Sequence, residues 1–214
     1  MPKGLFVVFE GMTGSGKKSQ IRLLTERLQK AGREVVNISF PNYETEIARL
    51  TKRGDMDAYT QSLLFAADRQ HYQQRIKQLL EKGAVIICDR YCYSNFTYQS
   101  AKGILLEWLV QLEKNIIKPS VVIFIDVPIS LSMSRVQQAN IEDFTKREIL
   151  ERLERERENL EKIRETYLYL SKAEIDKETH WHVFNGEIVE SVLQEQIWSI
   201  IMNHLSQSFK TVTT

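Results

Sequence analysis

The stretch Glu10-Gly11-Met12-Thr13-Gly14-Ser15-Gly16-Lys17-Lys18-Ser19 constrains the fold of this chain more than any other. It follows the apolar run Leu5-Phe6-Val7-Val8-Phe9 and precedes a helical pattern that begins near Lys17. A buried strand, a glycine-rich turn and a helix start together make a phosphate cradle. The glycines let successive backbone N–H groups turn toward one anion, and the helix N-terminus adds its positive end. Gly11, Gly16 and Lys17 meet the Gly-x4-Gly-Lys spacing, in which the lysine reaches the terminal phosphates of a nucleotide. A hydroxyl that ligates Mg2+ is expected next, but Lys18 stands there and Ser19 comes one place late. The residues from Gly11 to Ser19 therefore read as a nucleotide-binding loop with its phosphate part intact and its metal part altered.

Three more apolar runs read as buried parallel strands: Val35-Val36-Asn37-Ile38, Ala84-Val85-Ile86-Ile87-Cys88 and Val121-Val122-Ile123-Phe124-Ile125. His182-Val183-Phe184 is a shorter candidate. Helical spacing fills the gaps. It runs through Ile21, Leu24 and Leu28, then through one long helix carrying Leu64, Ala67, His71, Leu79 and Leu80 and ending at Gly83. Val189, Val192, Leu193, Ile197, Ile200 and Ile201 mark an amphipathic helix near the C-terminus. Alternating strands and helices predict an α/β fold, a P-loop NTPase-type parallel sheet covered by helices on both faces. Ligands in such a fold sit at the carboxyl ends of the strands. From Ile141 to Lys172 the chain is dense in charge, with Leu153, Leu160 and Tyr167 seven residues apart and Glu148–Arg152, Glu151–Arg155 and Glu158–Lys162 at i,i+4 spacing. That predicts a solvated helix with one apolar stripe. Gln137-Gln138-Ala139-Asn140, before it, lacks apolar anchors and reads as the start of a flap.

A length of 214 residues with 43% hydrophobic content suits one domain with a sizeable core. A net charge of +1 gives no global basic field that would point to nucleic acid. No apolar run reaches the roughly 20 residues that span a bilayer, and Leu5 to Phe9 is too short for a signal peptide. Cys88 and Cys92, spaced C-x3-C without a nearby His, read as reduced thiols near a strand end, as in a cytosolic protein.

Asp89-Arg90-Tyr91 directly follows the run Ala84 to Cys88, so it falls at a strand's carboxyl end, facing the ligand cleft. There the arginine can fork onto a phosphate. The aspartate can hold a water on Mg2+ or position an attacking oxygen. Phe65 and Arg69 are four apart on a helix and share a face, where a ring can stack a base and a guanidinium can bond its edge.

Together these pieces resemble the thymidylate kinase (dTMP kinase) family over nearly the whole chain. The resemblance is carried by Phe9 to Lys17, Phe40-Pro41, Leu64-Phe65-Ala66-Ala67-Asp68-Arg69, Asp89-Arg90-Tyr91-Cys92-Tyr93-Ser94 and Tyr98-Gln99. Ile125 to Pro128 and Arg164 to Leu168 match less specific stretches. The resemblance implies transfer of the ATP γ-phosphate to dTMP, with Mg2+, in a cytoplasmic homodimer. It implies catalytic roles for Lys17, Asp89 and Arg90, with Lys17 on the transferring phosphate, Arg90 on the acceptor phosphate and Asp89 on Mg2+ through water. It places ATP on Gly11, Met12, Thr13, Gly14, Ser15, Gly16, Lys17, Lys18 and Ser19. Phe65 stacks on thymine, Arg69 bonds its edge, and Tyr98 crowds the 2′ position. Phe40, Ser94 and Gln99 complete the acceptor pocket, and residues 137–147 match the family's lid.

The chain departs from the family pattern in three places. Thr13 replaces an aspartate near the acceptor, Lys18 replaces the metal-binding hydroxyl, and Tyr43 replaces an arginine, with Arg49 close enough in sequence to supply that charge. All three touch phosphate or metal handling. Two alternatives stay open: a related deoxynucleotide kinase with another acceptor such as dUMP, and a nucleotide-binding protein with weak or no catalysis.

Overall fold

The computed structural model describes residues 4–53, 55–139, 146–173 and 175–210. Five strands, β1 (Leu5–Glu10), β2 (Val35–Ser39), β3 (Val85–Asp89), β4 (Val121–Asp126) and β5 (His180–Asn185), form one sheet in the order β2-β3-β1-β4-β5. Every neighbouring pair is parallel. β1, β3 and β4 are buried along nearly their whole length because helices cover both faces, which is why they read as continuous apolar runs.

Side chains alternate between two cores. Phe6 and Val8 pack on one face with Ile76, Phe96 and Tyr167. Leu5, Val7 and Phe9 pack on the other with Leu24, Leu28, Ile197 and Ile201. The second core is closed by α1 (Lys17–Lys30) and by α9 (Glu190–Lys210). The predicted helical stripes of Leu24 and Leu28 and of Leu193, Ile197 and Ile201 are thus buried, whereas Val189 and Val192 are exposed.

The structure corrects three expectations. The helix expected to run unbroken to Gly83 is two helices, with Tyr72 between them. The residues that follow α2 (Glu46–Leu50) are α3 (Ala58–His71) and α4 (Gln73–Glu81). Gln73 Nε2 caps the Arg69 carbonyl at 2.7 Å, satisfying an acceptor at the end of α3. Ala67 and His71 face solvent rather than core. The short last strand extends over His180–Asn185 because each of its six residues pairs with β4 and Trp181 packs edge-on to Tyr93.

α5 (Cys92–Ser100), α6 (Leu106–Leu112), α7 (Ile129–Ala139) and α8 (Lys146–Leu170) complete the chain. Gln137 to Ala139, where the expected flap begins, are the last turn of α7; of the rest of the expected lid, 140–145 lies outside the described residues and 146–147 opens α8. On α8 the expected pair Glu158–Lys162 forms at 3.1 Å and Tyr167 is buried; the side chains of Glu148, Glu151, Arg152, Leu153 and Arg155 lie outside those described. Among the described residues no helix is long and apolar enough to cross a membrane.

Candidate active site

The loop between β1 and α1 has the backbone of an anion cradle. Gly11 (φ 142°) and Gly14 (φ 79°) are left-handed, and a Cβ on them would stand 2.7 Å from the Ile125 carbonyl oxygen and 2.8 Å from that of Ser132. Only glycine lets the loop lie this close to the ends of β4 and α7. Gly16 caps α1, whose first turn carries no acidic residue, so its N-terminal field is free to hold an anion. Lys17 is buried, and its Nζ donates to the Gly11 and Met12 carbonyls at 2.9 Å each. Burial first, and then the Arg90 charge, hold the Lys17 ammonium down to about 7. A phosphate in the cradle would remove that penalty.

Across the cleft, Asp89 ends β3 and Arg90 takes a left-handed backbone (φ 67°). That unusual turn is tied down on both sides. Arg90 N–H donates to the Phe9 carbonyl at 2.9 Å, and the Cys88 thiol donates to the Arg90 carbonyl at 2.9 Å. Both cysteines are free and buried, as read from their spacing. The guanidinium donates to Ser94 Oγ at 3.0 Å and Tyr98 Oη at 3.3 Å, and lies over the Tyr98 ring. Thr13 Oγ1 stands 3.5 Å away, so the loop residue that replaces an acid still faces this arginine.

Glu10 organises the turn, a role the sequence did not disclose. It is fully buried, and it accepts from Tyr91 N–H (2.8 Å), Ser94 N–H (3.2 Å), Ser94 Oγ (2.6 Å) and Tyr167 Oη (2.8 Å). Burial pushes its carboxyl up, opposed by Arg90 and by these hydrogen bonds. Because Ser94 directs its proton to Glu10, its oxygen is left to accept from Arg90. The one available signal was a lone carboxylate at the end of an apolar strand, which burial obliges to find donors.

Thr13, Phe40, Phe65, Arg69, Arg90, Ser94, Tyr98 and Gln99 line one cavity of about 250 Å3, with Pro41, Tyr43, Tyr91 and Asn95. Every predicted acceptor-pocket residue is therefore brought together. Arg69 is buried and tied through Nε and Nη2 to Glu113, which is also buried and receives Asn95 Nδ2 at 3.1 Å. Among the described hydrogen bonds Nη1 of Arg69 carries none, so it remains available to a ligand. Gln99 Oε1 and Asn95 Oδ1 are buried without a partner among the described residues. Arg49 does not take the place of the arginine missing at Tyr43. Its guanidinium is engaged by Glu46 at 2.6 Å and by the Tyr43 and Glu44 carbonyls, away from the cavity lining.

Two further residues join the nucleotide end. On α7, Ser132 Oγ donates to the Thr13 carbonyl at 2.7 Å, and Arg135 donates to the carbonyls of Gly14 (3.1 Å) and Gly186 (3.3 Å). A cation site also fits here. Asp89 Oδ1 is buried with no hydrogen-bond partner among the described residues, in a cleft it shares with Lys18 and Ser39. Lys18 cannot ligate a metal, so Asp89 is the protein group suited to hold one.

The sequence model of the thymidylate kinase family matches residues 9–202. The chain is 36% identical over 215 residues to a probable thymidylate kinase of Pyrococcus abyssi (strain GE5 / Orsay), covering 95% of this chain and 98% of the relative. It is 34% identical over 205 residues to the thymidylate kinase of Plasmodium falciparum (isolate 3D7), covering 91% and 92%. A thymidylate kinase of Caenorhabditis elegans is 36% identical over 147 residues, covering 62% of this chain and 67% of the relative.

Proposed function

This chain belongs to the thymidylate kinase family, and on that premise we propose that it transfers the γ-phosphate of ATP to dTMP, giving dTDP and ADP. The observation that carries the reading is the pairing of an anion cradle with a separate nucleoside-sized cavity, joined by Arg90. ATP places its phosphates on the loop from Gly11 to Ser19, with Lys17 leaving the Gly11 and Met12 carbonyls for the γ-phosphate. Arg90 receives the acceptor phosphate. Thymine offers one donor and two acceptors. Its N3–H suits the unpartnered oxygens of Asn95 and Gln99, and a carbonyl suits Nη1 of Arg69. Phe65 covers the ring and Tyr98 lies under the sugar.

Little covalent work falls to the protein. It holds two anions in line and neutralises their repulsion. Mg2+ would be held by Asp89 through water and by the phosphates, and would supply further charge neutralisation on the transferring group. Lys17 and Arg90 place cations on either side of that group, where charge builds in the transition state. Arg135, bridging Gly14 and Gly186, would hold the loop against the edge of the nucleotide site.

The assembly is taken as a cytoplasmic homodimer. Free buried thiols suit a reducing compartment, and the apolar Tyr59 and Leu63 on α3 and Leu105 before α6 stand 52%, 49% and 68% exposed, as an uncovered self-contact would leave them. The test is ADP formation with dTMP, dUMP, dCMP, dGMP or no acceptor. Fastest turnover with dTMP supports the reading. A preference for another monophosphate shifts the acceptor, and ADP formation indifferent to acceptor rejects it.

A further inference from the structure

Three of the chain's four histidines gather far from the nucleotide cleft. His180 and His182 are two apart on β5 and so point to one face of the sheet, the face covered by α9, which carries His204. They lie toward the start of β5, whereas the cleft opens at its carboxyl end. His180, His182 and His204, with Ile200 and Asn203, line a cavity of about 290 Å3.

The His182 and His204 rings meet at hydrogen-bond distance, a spacing that a shared metal ion would also give. His182 Nε2 and His204 Nε2 are 3.4 Å apart. Two imidazole nitrogens bound tetrahedrally at about 2.0–2.1 Å from Zn2+ stand about 3.3–3.4 Å from each other. With ring centres about 1.1 Å further out, coordinated rings stand about 5.1–5.2 Å apart. The His180–His204 and His182–His204 ring centres are 5.3 Å and 5.6 Å apart. Among the described residues no three such side chains form a metal-holding group as they stand, so a three-histidine site requires the His180 side chain to rotate toward the other two.

We propose that His182 and His204, joined by His180, form a binding site for a late first-row divalent cation, Zn2+ foremost, with water in the remaining position. Imidazole selects such ions over Mg2+, which prefers oxygen. Burial and the mutual proximity of the rings lower the pKa of His182 and of His204. A neutral imidazole offers one proton-free nitrogen to a metal while the other keeps its N–H. The ion would staple the edge strand β5 to α9.

The test uses the full, untagged chain, stripped with chelator and titrated with Zn2+ by calorimetry in excess Mg2+ and without nucleotide. His180→Ala, His182→Ala, His204→Ala and His71→Ala are compared, with circular dichroism and dTMP turnover confirming that each variant folds. One Zn2+ per chain is expected. Affinity should fall at least roughly tenfold in the His182 and His204 variants, fall less in the His180 variant and stay unchanged in the His71 variant. Co2+ should give the strong visible bands of a tetrahedral centre, and Zn2+ should raise the melting midpoint of the unsubstituted protein but not that of the His182 or His204 variant. Absence of Zn2+ binding, or binding that survives loss of both His182 and His204, overturns the proposal.

Discussion

ATP binding should draw a proton onto Lys17. In the free protein the Lys17 ammonium sits between two backbone carbonyls, and burial with the Arg90 charge holds it down to about 7 from an ordinary value of 10.5. That drop disfavours the charged form by about 5 kcal/mol. A γ-phosphate brings opposite charge into the same space and restores the ammonium. At pH 8 free Lys17 is largely uncharged, so binding takes up a large fraction of a proton per site. The nucleotide itself contributes little there, because its terminal phosphate ionises near about pH 6. Below pH 7 the proton is already present and uptake fades; above it, apparent affinity should weaken about tenfold per pH unit. The assay is calorimetric titration of a non-hydrolysable ATP analogue at pH 8 in buffers of different ionisation enthalpy. The slope of apparent enthalpy against buffer enthalpy reads proton uptake directly. Lys17→Met should abolish the uptake without lowering the melting midpoint, since it removes a buried charge. An uptake near zero in the unsubstituted protein would refute the reasoning.

Arg90→Ala should weaken binding of every monophosphate acceptor alike, by roughly 1–3 kcal/mol, read from KM across dTMP, dUMP and dCMP; a change in base preference instead would reassign it. Arg69→Ala should do more than blur base selection, because it strands the buried Glu113 carboxylate. The expected cost is about 3–5 kcal/mol and a midpoint fall on the order of 10 °C, and an unshifted melt contradicts the pairing. Tyr98→Ala should raise turnover of ribo-TMP relative to dTMP, whereas Tyr98→Phe, which keeps the ring, should not; an unchanged ratio in a folded Ala variant rejects the steric role. Lys18→Thr should shift half-saturation to lower Mg2+ at fixed ATP and dTMP, and a half-saturation that does not move would place Lys18 away from the metal.

The sheet was legible because strands buried on both faces must be apolar throughout, as Leu5–Phe9, Val85–Cys88 and Val121–Ile125 are. β5 was read as His182 to Phe184 only, because polar His180 and Asn185 bound its short apolar stretch, and an edge strand tolerates such residues where a central strand does not. The break at Tyr72 depends on a side-chain cap from Gln73, which no hydrophobic period records. In the site, residues that would meet a ligand were legible because their chemistry is local to a loop or one helix face. Their buried partners were not. Glu113 lies 44 residues from Arg69, and Tyr167 lies 157 from Glu10, so no spacing joins them before the chain folds.

The most direct test follows the phosphate itself. Incubating the protein and Mg2+ with ATP labelled at the γ position and unlabelled dTMP, then separating the products, should recover the label in dTDP, mole for mole with the ADP formed. Label released as inorganic phosphate, or retained in ATP while dTMP is saturating, would contradict transfer between the two sites.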